Sequence, residues 1–258
     1  MKRSIRNIIS ILTLAVLAAV FLLINAGKAM KRSLITCEGV NVVFTDDYRF
    51  VTEDDIKGYL DKYYGAYIGQ RVDSIKLHKV ESILNRQSAI LNSEAYTTDD
   101  GLLNITISQR EPVARFQNAE MGFYADECGF IFPLQENYTS NVPVIDGNIP
   151  VKVEEGFKGA PENDKEKAWI EGVVELVRYM EKSRIWSENI VQMHVDDSGD
   201  LVLIPREGNE RFIFGSPDGA EEKFGRVEKY YRYILPEKGE GYYRTVNVKF
   251  DKQIVCKK

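Results

Sequence analysis

Residues 89–115 read AILNSEAYTTDDGLLNITISQREPVAR, and their patterning decides the first half of the fold. In Leu102–Gln109, Leu103, Ile105 and Ile107 alternate with Asn104, Thr106 and Ser108. That period of two puts apolar side chains on one face of a strand and polar ones on the other. Ala89–Tyr96 reads as a second strand, joined through Thr97-Thr98-Asp99-Asp100-Gly101, whose Asp-Gly end is a turn signal.

Upstream, Asp73-Ser74 precedes a helix with Leu77, Val80, Ile83 and Leu84 on one face. Before it, Thr52 is placed to cap a helix carrying Ile56, Leu60, Tyr63 and Tyr64, with Glu53, Asp54 and Asp55 at its positive end. Ile35–Phe44 is the opening strand. The order β-α-α-β-β over residues 33–110 predicts a small α+β unit whose two amphipathic helices cover one sheet face.

Beyond Pro112 the pattern becomes a meander: Val113–Gln117, Gly122–Asp126, Phe130–Leu134 and Val142–Ile145, ending at Asp146-Gly147. A helix places Trp169, Val173, Leu176, Val177 and Met180 on one face, and another starts at Ser216-Pro217 with Phe224, Val227, Tyr231 and Ile234. Strands are expected at Ile190–Val195, Leu201–Pro205 and Arg211–Phe214, with a hairpin turn at Asp197-Ser198-Gly199-Asp200. In Tyr243–Phe250, Val246, Val248 and Phe250 alternate with Thr245, Asn247 and Lys249, and the run continues through Gln253-Ile254-Val255 as one half-buried strand. Residues 111–255 thus form a second, strand-rich α+β domain.

Ahead of both domains, residues 8–26 carry no charge and are interrupted only by Ser10, Thr13 and Asn25. As a helix they would reach roughly 28 Å, close to the hydrocarbon thickness of a bilayer. A cleaved signal peptide would need a small-x-small site, which Gly27-Lys28-Ala29 matches poorly, so a retained transmembrane helix is expected. Lys2, Arg3 and Arg6 nearly balance Lys28, Lys31 and Arg32, and flanking charge does not orient the anchor. A short tail, residues 1–7, before a long body suits a signal-anchor with its C-terminus translocated.

The 258 residues hold 34 basic and 39 acidic side chains. The first 32 residues contain six of the bases and no acid, so the body carries about −11, which argues against a phosphate-backbone partner. Cys37, Cys128 and Cys256 lack metal or redox spacing; isolated thiols are expected, with a Cys37–Cys256 bridge left open.

Catalytic signatures do not emerge. His78 and His194 sit in no ligand-spaced pair, and there is no nucleophile elbow, phosphate loop or dinucleotide fingerprint. The acid pairs Asp46-Asp47, Asp54-Asp55, Asp99-Asp100 and Asp196-Asp197 fall at turns and helix starts, where capping explains them. No cofactor or metal site is expected. Tyr230, Tyr231, Tyr233, Tyr242 and Tyr243 form the best aromatic patch for a protein partner.

With these motifs in place, the chain resembles the FtsQ/DivIB family of bacterial cell-division proteins: short cytoplasmic tail, transmembrane helix, POTRA domain, β-domain. The likeness is most specific over Val80–Leu84, Ala89–Tyr96 and Leu102–Arg115, followed by Tyr124-Ala125-Asp126, Gly129-Phe130 and Val142-Pro143-Val144 with Gly147. Ser88 and Gln109 depart from the family's common proline and glutamate.

The resemblance implies a non-enzymatic bitopic protein of the inner membrane at the septum, N-terminus cytoplasmic and body periplasmic. Its partners would be FtsB/DivIC-like and FtsL-like coiled-coil proteins, bound by strand addition at the C-terminal edge. Other division-complex membrane proteins would meet the POTRA-like unit. The contact is expected at Thr245, Val246, Asn247, Val248, Lys249, Phe250 and Asp251, with Tyr243, Lys252, Gln253, Tyr230 and Tyr231 beside it; the alternative is that this strand is interior and simply completes the sheet. Lys249 and Lys252 are expected to repel wrong edges and favour an acidic partner. Two other readings are an envelope transport or assembly component, since POTRA-like units also serve there, and an anchored hydrolase.

Overall fold

The computed structural model describes residues 14–24, 34–118, 121–135, 138–154 and 156–258. Residues 14–24 form helix α1, with exposed apolar side chains such as Leu14, Leu17 and Leu23. Residues 8–13 and 25–26 of the expected span, and the tail 1–7, lie outside the described residues. Among those described, no helix is long and apolar enough to cross a membrane. The body divides into two compact units: one reaches Asp47 and resumes over Val51–Gln109, the other takes Tyr48–Phe50 and Arg110–Lys258.

In the first unit, strands β1 (Gly39–Phe44), β2 (Ile90–Thr97) and β3 (Leu102–Gln109) align in the order β1-β3-β2, with β1 parallel and β2 antiparallel to β3. The period of two holds: Leu103, Ile105 and Ile107 are buried. Against them lie α2 (Glu53–Tyr63), through Ile56 and Leu60, and α3 (Leu77–Leu84), through Val80 and Leu84. Thr52 starts α2 with a capping box, its hydroxyl accepting the Asp55 N–H while the Asp55 carboxylate accepts the Thr52 N–H. The end of β3 is pinned by Gln109, which donates to the Asp46 carboxylate from its backbone at 2.7 Å and its side chain at 2.8 Å.

The second unit is a sheet of nine strands among the described residues, ordered β12-β11-β10-β9-β8-β7-β4-β5-β6. These are β4 (Pro112–Gln117), β5 (Gly122–Asp126), β6 (Ile131–Pro133), β7 (Val144–Gly147), β8 (Ile190–Val195), β9 (Leu201–Pro205), β10 (Arg211–Gly215), β11 (Thr245–Asn247) and β12 (Val255–Lys257). Helices α4 (Asp164–Glu181), α5 (Arg184–Asn189) and α6 (Ala220–Lys229) bury Val173, Leu176, Val177, Trp186, Phe224 and Val227 in the same core as Phe116, Ile145, Val195, Phe212 and Val246. A six-residue helix such as α5 is too short to show a sequence period.

The expected meander holds for β4-β5-β6 but not for the fourth strand. β7 returns to the other side of β4 and pairs in parallel with both β4 and β8. The Pro143 carbonyl, which accepts the Arg115 N–H, leads the chain onto that side. The expected acid turn is present: Asp196 accepts the Ser198 and Asp200 N–H groups between β8 and β9.

Gly147 closes β7 at φ +91, and a Cβ there would lie 2.2 Å from the Val195 carbonyl oxygen and 2.7 Å from the His194 ring. Gly147→Ala is therefore expected to cost about 2–3 kcal/mol through backbone strain and a clash at the centre of the sheet, measured by urea unfolding.

Candidate functional site

The candidate site lies at the C-terminal margin of the nine-stranded sheet. β11 runs parallel to β10, with Val246 opposite Phe212, and antiparallel to β12, with Val246 opposite Cys256. Val246 and Val248 are fully buried; the Val248 N–H donates to Ile213 and its carbonyl accepts from Arg226 Nε at 2.8 Å. The chain then turns around Phe250-Asp251-Lys252, where Lys252 takes φ +55, and returns as β12.

The single strand expected from Tyr243 to Val255 is thus a hairpin, and the expected contact strand is not the edge. Both sides of β11 are hydrogen-bonded within the fold, and the edge strand, with no strand on its outer side among the described residues, is β12. A turn made without glycine or proline left no break in the apolar alternation.

Other expected contact residues fall in three places. Val246, Val248 and Tyr230 are core, so their side chains cannot meet a partner. Thr245, Asn247, Tyr243 and Tyr231 are half-buried, and Asn247 accepts the Lys249 N–H at 3.0 Å. Phe250, Asp251, Lys252 and Gln253 are exposed on the turn.

Lys249, expected to favour an acidic partner, is paired within the fold: its Nζ lies 2.5 Å from Asp200 and 5.4 Å from the Phe250 ring centroid, tying the hairpin to the β8–β9 turn. Gly215, at φ +80, makes room for its stem, since a Cβ there would come within 2.8 Å of Lys249 Cβ.

Comparison with known families gives two matches: residues 111–257 match the FtsQ/DivIB, C-terminal related family, and residues 35–108 match the POTRA-like domain. The chain belongs to the FtsQ/DivIB family. These domains support a role in cell division. Among curated proteins, none matches the chain.

In this FtsQ/DivIB-type domain the two ends of the sheet differ. β6 is closed: Ile131 exchanges main-chain hydrogen bonds with Gly159 at 2.8 and 3.0 Å, and Pro133 has no N–H to offer. Among the described residues β12 pairs with β11 and with no other strand. On it Val255 is 46 % exposed and Lys257 exposed, while Cys256 turns toward the core, where burial raises its thiol pKa. None of these three was among the expected contact residues, because a three-residue strand shows no period.

The edge is backed by a wide helical turn, Tyr230–Ile234, in which the Leu235 N–H reaches back to the Tyr230 carbonyl. That π-turn brings Tyr230 and Tyr231 both onto Phe212, with ring centroids 5.6 and 5.5 Å away. The regular face expected for this helix gave the deep position to Tyr231, whereas Tyr230 occupies it. Short helix α7 (Leu235–Lys238) follows.

All three cysteines are free thiols. His78 is fully exposed, and His194 Nδ1 lies 2.6 Å from Asp146. Among the described residues no group of three or more His, Cys, Asp or Glu could hold a metal ion.

Burial, then the nearby Glu210 carboxylate, pushes the Tyr230 phenol up to about 12; the same causes, in the same order, push Tyr231 up as well. Below pH 10 folded and unfolded chains both keep these protons, so stability does not depend on them. Between pH 10 and about 12 the unfolded chain releases protons that the fold retains, and stability falls. Thermal melts over that range are expected to fall less steeply in Tyr230→Phe and Tyr231→Phe; equal slopes would mean that these phenols titrate normally.

Proposed function

We propose that this protein is a non-catalytic, single-pass scaffold of the division complex, whose C-terminal domain captures coiled-coil partners of the FtsB/DivIC and FtsL type by adding their strand to the outer side of β12. One observation carries the reading: among the described residues, of the sheet's two ends, β6 is met by Gly159 and β12 has no strand on its outer side. Unpaired N–H and C=O groups on an edge strand template an incoming strand, and main-chain pairing supplies affinity while neighbouring side chains choose the sequence. The neighbours here are Val255 and Lys257 on the strand, with Phe250 and Tyr242, each over 40 % exposed, near it. Lys257 and Lys258 favour an acidic partner, the role expected for Lys249 and Lys252.

The exposed apolar surface of α1 suits a bilayer, with residues 8–26 as anchor, the N-terminus cytoplasmic and the body periplasmic at the septum. The POTRA-like unit then serves further division-complex membrane proteins.

The test mixes the full chain with the soluble parts of an FtsB/FtsL-like pair. Val255→Glu, at an exposed side chain, is expected to weaken binding by at least about tenfold through loss of edge packing, and Phe250→Ala to weaken it less. Equal affinity of both variants and the native chain, by calorimetry, would remove β12 as the contact.

A further inference from the structure

We propose a second strand-addition site on the POTRA-like unit, the outer edge of β1, for an extended segment with an uncharged apolar core and basic flanks. The three-stranded sheet has two edges, and they are treated differently. On β2 the Ala95 N–H is taken by the Glu81 carboxylate at 3.0 Å, Ser93 Oγ donates to Asn85 and to the Glu81 carbonyl, and the ladder is irregular between Ile90 and Asn92. A charged side chain and a bulge are the devices that blunt an edge.

β1 has neither. Gly39-Val40-Asn41-Val42-Val43-Phe44 holds no charge and no proline, and no strand pairs with its outer side among the described residues. The Thr45 N–H donates inward to Ile107, the register partner of Phe44. Strand alternation therefore turns the N–H and C=O groups of Val40, Val42 and Phe44 outward. These residues share the helix-side face with Leu103, Ile105 and Ile107, yet remain half-exposed where those are buried. A visiting strand would find apolar neighbours at alternate positions on that side and Asn41 and Val43 on the other.

Charge selects the visitor. Glu38 precedes the strand and Asp47 follows it; both are exposed and neither has an ion pair among the described residues. Antiparallel pairing of β1 with β1 of a second copy would face these acids with each other, which is unfavourable. β12 of a second copy has suitable charge but offers three residues against six. A heterologous segment with lysine or arginine at its ends fits best.

The test adds a synthetic peptide, Lys-Val-Thr-Val-Thr-Val-Lys, to the full chain and follows amide exchange at Val40, Val42 and Phe44. Those amides are expected to exchange openly in the free chain and to slow with peptide. Glutamate-flanked and backbone N-methylated versions are expected to bind about tenfold more weakly or not at all. Val43→Lys, at a side chain 50 % exposed, should abolish the protection, and Val255→Glu should not alter it. Protection already present in dilute protein, equal binding of the N-methylated peptide, or protection that grows with protein concentration alone would overturn the proposal, the last pointing to a second copy.

Discussion

A main-chain N–H or C=O taken out of water without a partner costs about 1–3 kcal/mol, so every sheet must either close its edges or leave them wet. Among the described residues the two sheets present four edges, and in each sheet one edge is met by other groups and one is left without a strand. β6 is met by backbone, through Gly159; β2 is blunted by a side chain, Glu81, which takes the Ala95 N–H. The asymmetry follows from where the covering chain runs. The segment after β6 passes back along it, and α3 lays Glu81 against β2, whereas no described strand lies on the outer side of β12 or of β1.

An open edge is useful only if it is held still, because ordering a floppy strand would consume the free energy of pairing. β11 and β12 are three residues each, too short to be stable by their own ladder. They are held from inside. Val246 and Val248 are fully buried, each contributing roughly 2 kcal/mol through removal of apolar area from water. Arg226 fixes the Val248 carbonyl, and Lys249 ties the hairpin to Asp200 across the sheet end. Side chains expected to reach a partner instead brace the edge hairpin.

What was legible in the sequence was whatever has a period or a local signature. The alternation in Leu102–Gln109, the Thr52 cap, the α4 face and the Asp-Ser-Gly-Asp turn each depend on residues within about ten positions of one another. Strand order depends on none of these. The parallel return of β7 to β4 joins residues separated by the whole β5–β6 hairpin. The C-terminal turn escaped because Lys252 adopts a left-handed backbone that glycine or asparagine would have announced. The π-turn at Tyr230 escaped for a related reason: one residue added to a helical turn shifts the face without changing composition.

The two open edges also differ in what they would reject. β1 lies between Glu38 and Asp47, and β12 runs into Lys257 and Lys258. Main-chain pairing is indifferent to sequence, so two open edges on one chain would compete for the same strands unless something else discriminated. Opposite flanking charge does so at little energetic cost, because like charges set against each other penalise the wrong strand more than rim-exposed opposite charges stabilise the right one. A segment with acidic ends meets attraction at β12 and repulsion at β1, and a segment with basic ends meets the reverse. Under the proposed pairings, two neutral backbone templates would in this way be two distinguishable addresses.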